Sequence, residues 1–159
     1  DANVLVEWVT GDDLTIARLN ALFATPDIVL IIPTPALAEF LVGADTVGYQ
    51  WLNSMESKSR FQIAAFDRRA ATECAVLETQ ARRHGNKKGG SKAAWQKVKV
   101  DRQVLAIAKL HGAAFLMTAD TQLSQLANSC GMATRIIADL PLPESAMQRN
   151  LELDPPEES

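Results

Sequence analysis

Three carboxylates stand directly beyond apolar segments of the sequence, where a parallel sheet would present its binding edge. Glu39 lies one turn into the helix expected after the apolar run 27–32. Asp120 follows the apolar run 113–117, and Asp1 is expected to follow a strand that lies upstream of residue 1. Because ligands bind beyond the carboxyl ends of strands in open α/β sheets, we expect these side chains to meet. Their hard oxygen atoms suit Mg²⁺ or Mn²⁺.

Asp101 is a charged residue in the middle of an apolar helical stripe. Lys99 and Arg102 lie elsewhere on the circumference of the helix, so neither is expected to neutralise it. A charged side chain on an inward face needs a partner, which here is expected to be a metal ion or a basic residue from another segment. The stripe is formed by Val98, Val104, Leu105 and Ala108.

Each of these four carboxylates also has an ordinary structural interpretation. Asp1 could order a turn, and Glu39 could be an exposed helix residue. Asp120 could cap the helix that follows it, and Asp101 could belong to a buried ion pair. Their conjunction favours a metal site, because four carboxylates at one end of a sheet repel one another unless cations neutralise them.

Short apolar strands alternate with helices along the chain, which is typical of an α/β protein with a mostly parallel sheet. Thr34 is predicted to be the N-cap of the second helix, with Pro35 at its first position. Residues 1–140 are predicted to form one domain, and 141–159 an acidic, proline-containing tail. Strands are predicted at 27–32, 61–66, 113–117 and 135–138, and helices at 11–24, 36–42, 67–83, 96–110 and 120–129.

The composition is that of a soluble globular protein and excludes several classes of function. Of the 159 residues, 47% are hydrophobic and 22% are charged, which excludes wholesale disorder. Cys74 and Cys130 are far apart, and His84 and His111 do not lie at metal-ligand spacing, so zinc hydrolysis and thiol redox chemistry are excluded. No apolar run approaches the ~18–20 residues of a membrane span, and a cytoplasmic protein is expected.

The order and spacing of the acidic motifs resemble those of the PIN-domain ribonucleases, and within them the VapC-type toxins of bacterial toxin–antitoxin pairs. The resemblance implies a three-layer α/β/α fold with a central parallel sheet. It spans roughly residues 1–138 and rests on four motifs: Asp1-Ala2-Asn3-Val4-Leu5, Pro35-x-x-x-Glu39, Asp101-x-x-x-Leu105-Ala106-x-Ala108 and Leu116-x-Thr118-x-Asp120.

The same resemblance implies a role for each polar residue of these motifs. Thr118 would support the site with its hydroxyl, and Asn3 would order the first loop. Family members often carry a further acid after the Thr-x-Asp motif, but Gln122, Leu123 and Ser124 occupy that region here, so one bound ion and two both remain open. The acidic ligands of Mg²⁺ or Mn²⁺ would be Asp1, Glu39, Asp101 and Asp120.

The activity that the resemblance implies is metal-dependent hydrolysis of RNA by an endoribonuclease. An antitoxin protein and a second copy of the chain are the implied partners. The alternative is a catalytically silent scaffold of the same fold that binds RNA or a partner protein. A phosphotransfer enzyme of the haloacid-dehalogenase type is disfavoured, because its chemistry needs a second Asp two residues after the nucleophile, where this chain has Asn3.

Half of the 16 basic residues lie within residues 82–102, and this basic segment is predicted to contact RNA phosphates. Trp95 is predicted to stack on an unpaired base. The alternative is a solvated lysine-rich loop followed by a tryptophan that packs at the start of a helix. The residues predicted to contact RNA are Lys87, Lys88, Lys92, Trp95, Lys97, Lys99 and Arg102.

Overall fold

The computed structural model describes residues 1–83, 88, 94–144 and 146 of the chain. Most of the predicted tail 141–159 therefore lies outside the described residues. The elements in chain order are α1 (Ala2–Thr10), α2 (Asp13–Ala24), β1 (Leu30–Pro33), α3 (Thr34–Gly43), α4 (Thr46–Glu56), β2 (Phe61–Ala64), α5 (Arg68–Arg83), α6 (Trp95–Leu110), β3 (Phe115–Met117), α7 (Thr121–Ser129), β4 (Ala133–Arg135) and a short 3₁₀ helix (Ile137–Asp139).

The strands are parallel and alternate with helices, which confirms the α/β class. Strand β1 pairs with β2, with Leu30 opposite Phe61, and β3 pairs with β4, with Phe115 opposite Ala133. Within the described part of the chain these are two separate two-stranded pairs and not one continuous sheet. Each of β1 and β3 therefore has one backbone edge that no described strand covers.

A cavity of about 320 Å³ lies between the two strand pairs. Every residue of 27–33 and every residue of 111–117 lines it. Because the side chains of a strand alternate between its two faces, a cavity that meets every residue of both segments must face their backbone edges. Asp1 also lines the cavity, and its amino group donates a hydrogen bond to the Met117 carbonyl at 3.3 Å.

We propose that this cavity takes a further parallel strand of the same polypeptide, leading into Asp1 and pairing with both β1 and β3. Uncovered strand edges are liabilities that proteins cover or pair, and the Asp1–Met117 hydrogen bond has the direction of a ladder bond at the end of β3. The proposal rests on the two uncovered edges and the cavity between them. It agrees with the strand predicted upstream of residue 1.

An N-terminal extension of five apolar, β-branched residues is expected to raise the melting temperature by at least about 4 °C. The physical reason is that the extension would bury apolar side chains and pair two strand edges. A Gly/Ser extension of equal length is the control and should have little effect. Equal melting temperatures for the two extended proteins would contradict the proposal, and differential scanning calorimetry measures both.

Two helices were not predicted from the sequence. Residues 2–10 form α1, which Asp1 caps, and residues 46–56 form α4. The first turn of α4 is held by Asp45, whose side chain accepts hydrogen bonds from the backbone N–H groups of Val47 and Gly48 at 3.0 and 3.1 Å. The capping carboxylate was the available signal for this helix.

Two local predictions are wrong in detail. Thr34 is the first residue of α3 and not its N-cap, a position that Pro33 holds. The Thr34 hydroxyl instead accepts a hydrogen bond from the backbone N–H of Phe66 at 3.0 Å. The last strand covers 133–135 instead of 135–138, because the chain turns into the 3₁₀ helix after Ile136.

Helix α6 is the central element of the core and fixes the position of the residues that it carries. Its residues Leu105, Ala106 and Ile107 are fully buried, and the helix packs against α3, α5, α7 and β1.

Another apolar cluster of the core contains Trp8 and Trp51, whose rings lie 5.5 Å apart, as expected of core tryptophans. Among the described residues, no helix is both long and apolar enough to cross a membrane.

Candidate functional site

Asp101 lies on the inward face of α6, as the apolar stripe predicts, with only 6% of its surface exposed. Its carboxylate oxygen Oδ1 lies 3.5 Å from Nζ of Lys97. The expectation of a basic partner from another segment is therefore wrong, because the partner lies one turn earlier on the same helix. Residues four apart share a helix face, and the flexible lysine side chain lets the ammonium reach inward from the exposed rim.

Lys97 also joins Asp101 to a second carboxylate, that of Asp120. The Lys97 Nζ lies 2.9 Å from Oδ2 of Asp120, so one ammonium links the start of α6 to the start of α7. Desolvation acts to lower the pKa of Lys97, but the hydrogen bond to Asp120 and the charges of both carboxylates outweigh it and raise that pKa. The ammonium is therefore the cation that neutralises this acidic pair in the structure.

Asp120 serves two purposes with its two oxygen atoms. Oδ1 accepts hydrogen bonds from the backbone N–H groups of Gln122 and Leu123 at 2.7 and 3.1 Å and so caps α7, while Oδ2 faces Lys97. Burial acts to raise the pKa of the Asp120 carboxyl, but the Lys97 and backbone hydrogen bonds outweigh it and hold that pKa below its ordinary value. The capping interpretation is thus correct and still leaves one oxygen for the site.

Thr118 connects Asp1 to Asp120 through a buried hydroxyl. Its Oγ1 donates to Oδ2 of Asp1 at 2.6 Å and accepts from the backbone N–H of Asp120 at 3.0 Å. The residue is 1% exposed, so water cannot replace these bonds. The other Asp1 oxygen accepts from the backbone N–H of Asn3 at 3.4 Å. Asn3 lies in the first turn of α1, so the prediction that it orders a loop is wrong.

Glu39 lies exposed on α3, and its influence on the site is electrostatic. Burial raises the pKa of the Asp101 carboxyl; Lys97 opposes this rise, and repulsion from Asp120 and Glu39 adds to it. The charges of Asp120 and Glu39 therefore both act on Asp101, and the Thr118 hydroxyl links the Asp1 carboxylate to the backbone of Asp120.

The chemistry of this acidic site fits a hard divalent cation, although its side chains are not arranged as a closed metal cage. Among the described residues, no group of three or more His, Cys, Asp or Glu side chains lies close enough to hold a metal ion. The oxygen donors suit Mg²⁺ or Mn²⁺, and Asp101 is a desolvated carboxylate that already attracts one cation. The ligand set Asp1, Glu39, Asp101 and Asp120 therefore stays a prediction.

In the described part of the basic segment, the cationic side chains do not form one continuous surface. Arg102 is 1% exposed and lies against the Trp95 ring, 5.4 Å from its centroid. The prediction that Arg102 contacts RNA does not fit this burial, because the guanidinium is enclosed in the core. Lys99 is exposed, and its ammonium lies 5.6 Å from the centroid of the same ring. Trp95 is thus half-buried and lies beside two cations of its own helix, which fits the packing interpretation weighed as the alternative to stacking.

The remaining basic residues of the prediction contribute unequally. Lys87 and Lys92 lie outside the described residues, and Lys88 is half-buried. Lys97 is partly exposed, but its ammonium contacts the carboxylates of Asp101 and Asp120. The sequence analysis missed this role, and the available signal was the spacing of four residues between Lys97 and Asp101.

Comparison with known proteins identifies both a family and a similar fold. The family model described as "PIN domain" matches residues 1–129, and no curated protein matches the sequence. A solved chain in the crystal structure of VapBC2 from Rickettsia felis, bound to a DNA fragment from their promoter, has a similar fold with a TM-score of 0.56. The two chains are 16% identical, and the match covers 86% of this chain and 95% of that chain.

Proposed function

The chain belongs to the PIN domain family, and from this premise we propose that it is a divalent-metal-dependent endoribonuclease. PIN domains are generally nucleases. The observation that carries the proposal is the acidic site, in which Asp101, Asp120 and Asp1 are linked through Lys97 and Thr118. A desolvated carboxylate beside other acids is costly to a fold and is the kind of arrangement that functional sites retain.

In this proposal the four acids hold Mg²⁺ or Mn²⁺, and the chain's other residues position them. A bound ion of this kind lowers the pKa of a water molecule and neutralises charge that develops on the phosphate. Thr118 fixes one oxygen of Asp1 and the backbone of Asp120, so both carboxylates keep a defined direction. Exposed Lys99 is available for RNA phosphates, and Lys87, Lys88 and Lys92 are proposed for the same role from the sequence.

We also propose that the protein is a VapC-type toxin with an antitoxin partner. The support is the fold shared with a chain of the VapBC2 complex, together with the order of the acidic motifs. An antitoxin would cover the acidic site with a cation of its own, and the toxin would act on RNA in the cytoplasm. A homodimer is part of the proposal, by the same resemblance to the VapC-type toxins.

The second candidate function is the catalytically silent scaffold, and one observation favours it. Lys97 already bridges Asp101 and Asp120, and the described part of the chain holds no closed metal-ligating group. A permanent ammonium in this position would leave a fold that binds RNA or a partner protein without hydrolysing a phosphodiester. The two candidates differ in metal binding, which is measurable.

Labelled single-stranded RNA and DNA of one sequence, incubated with the purified protein, provide the test. We expect Mg²⁺ or Mn²⁺ to support endonucleolytic cleavage of the RNA, EDTA to stop it and excess Mn²⁺ to restore it. Mass spectrometry of the products gives the cleaved bond. A folded protein that neither binds Mn²⁺ nor cleaves RNA with either ion would contradict the nuclease and support the scaffold, and preferential cleavage of DNA would contradict the choice of substrate.

A further inference from the structure

We propose that Lys97 is a built-in cation that neutralises the acidic site in the metal-free protein and competes with the divalent ion for Asp101 and Asp120. The inference rests on the proposed function, because it concerns the same site. It adds a residue that the acidic motifs do not contain. Its consequence is that the affinity for metal is set by this lysine as well as by the ligands.

The position of the Lys97 ammonium supports competition with a metal ion and argues against a simple surface ion pair. Lys97 Nζ lies 2.9 Å from Oδ2 of Asp120 and 3.5 Å from Oδ1 of Asp101. The Asp120 oxygen in this contact is the one that does not cap α7. The Asp101 oxygen belongs to the most buried acid of the site. A metal ion that used both carboxylates would need the same space. Two cations cannot share it, so entry of the ion requires the ammonium to move.

The surroundings of Lys97 allow such a movement. Its side chain is 46% exposed, while those of Asp101 and Asp120 are 9% and 19% exposed. Lys97 lies in the first turn of α6, at the rim of the core, and the helix is anchored by its later residues. The ammonium can therefore turn outward into solvent while both carboxylates stay in place. An ordinary exposed ion pair contributes little, but here one cation is shared by two partly desolvated acids.

The interaction of Lys97 with two acids also explains how the fold tolerates the acidic site without metal. Among the described residues, Lys97 is the cation in contact with Asp101, and a buried charge without such a partner destabilises a fold strongly. Lys97 removes this cost, and the divalent ion must then replace a favourable contact to bind. Replacing Lys97 by Met, which keeps much of the apolar stem, should accordingly weaken the metal-free fold and strengthen metal binding.

Isothermal titration calorimetry with Mn²⁺ alone tests the inference on the full chain. We expect Lys97→Met to bind Mn²⁺ about tenfold more tightly than the wild type. The reason is that the substitution removes a partly screened positive charge beside two metal ligands. Lys58→Met is the matched control, since Lys58 is an exposed lysine in the turn after α4, and should bind Mn²⁺ as the wild type does. Lys97→Gln serves as a second variant if the Met protein does not fold.

The outcomes separate this inference from the proposed function. Tighter binding in the Lys97 variants, or binding only in them, supports the competition. Equal or weaker binding in the variants, with clear binding in the wild type, overturns the role of Lys97 and leaves the nuclease proposal standing. No binding in any folded variant overturns both. Thermal unfolding in EDTA gives a second readout, and a Lys97→Met protein as stable as Lys58→Met would also count against the inference.

Discussion

Replacing Asp101 by Asn is expected to reduce RNA cleavage by about 10²–10³-fold without loss of the fold. The reason is that the amide keeps the size of the side chain and removes the most buried negative charge of the acidic site. The amide cannot neutralise a divalent ion as a carboxylate does. Initial rates of RNA cleavage at saturating Mn²⁺, with both proteins checked by circular dichroism, measure the effect.

The stability of the same variant has an expected sign. The Asp101 pKa is raised in the folded protein, chiefly by burial, so the ionised form is disfavoured by folding. The metal-free wild type should therefore gain stability as the pH falls through that pKa toward the ordinary pKa of an aspartate, and the Asn variant should lack this component. Thermal unfolding in EDTA across that pH range compares the two. The variant is expected to melt no lower than the wild type near neutral pH.

A matched control distinguishes the site from a general effect of lost charge. Glu56→Gln removes an exposed acid at the end of α4 and should leave RNA cleavage unchanged. If Asp101→Asn cleaved RNA as fast as Glu56→Gln, the assignment of Asp101 to the acidic site would be wrong. If both variants lost cleavage equally, the loss would reflect overall charge and not the site.

Replacing Thr118 by Val is expected to lower both stability and cleavage. Valine has nearly the same shape but no hydroxyl, so Oδ2 of Asp1 loses a donor and the backbone N–H of Asp120 loses an acceptor. Leaving a buried polar group unsatisfied costs about 1–3 kcal/mol of unfolding free energy. A residue that orients metal ligands contributes about 10–100-fold to metal affinity or activity, so cleavage should fall by a similar factor.

Thr118→Ser is the control for this prediction because serine restores the hydroxyl. Urea unfolding should place the serine variant between the wild type and Thr118→Val, and its cleavage rate should stay close to that of the wild type. Val and Ser variants with equal rates would show that the hydroxyl does not position the acids. A valine variant that loses stability but keeps full cleavage would assign Thr118 a purely structural role.

The burial of Asp101 could be predicted from the sequence because helical periodicity is a local property. The apolar neighbours of this residue define a face, and the structure confirms the placement. Its partner was mispredicted because the same reasoning considered the adjacent basic residues and omitted Lys97, one turn away. Whether a lysine reaches its neighbour depends on where the helix rim lies against other elements, which periodicity does not provide.

The basic segment shows why a run of charge in sequence is a weak guide to a surface. Lys99 and Arg102 are three residues apart, yet one is exposed and the other is enclosed in the core. The helix repeat does not explain the difference, because residues three apart lie on neighbouring parts of one helix face and both cations contact the Trp95 ring. Tertiary packing determines which basic side chain is exposed, and local composition does not predict it.

The strands illustrate a similar division between local and long-range information. Apolar runs located β1, β2 and β3 to within a few residues, because a buried strand needs such a run. The sequence could not show that the strands form two pairs with a cavity between them. Pairing is a long-range property that depends on which backbone edges meet.

We propose that carboxylates from separate segments of the chain bind one divalent cation or two. Anomalous diffraction from crystals grown with Mn²⁺ tests it most directly, because the manganese signal locates the ion without reference to activity. The account predicts a peak in direct contact with oxygens of Asp101 and Asp120, with the Lys97 ammonium moved away from both. A map without a peak in this position, with Lys97 still bridging the two carboxylates at saturating Mn²⁺, would contradict it.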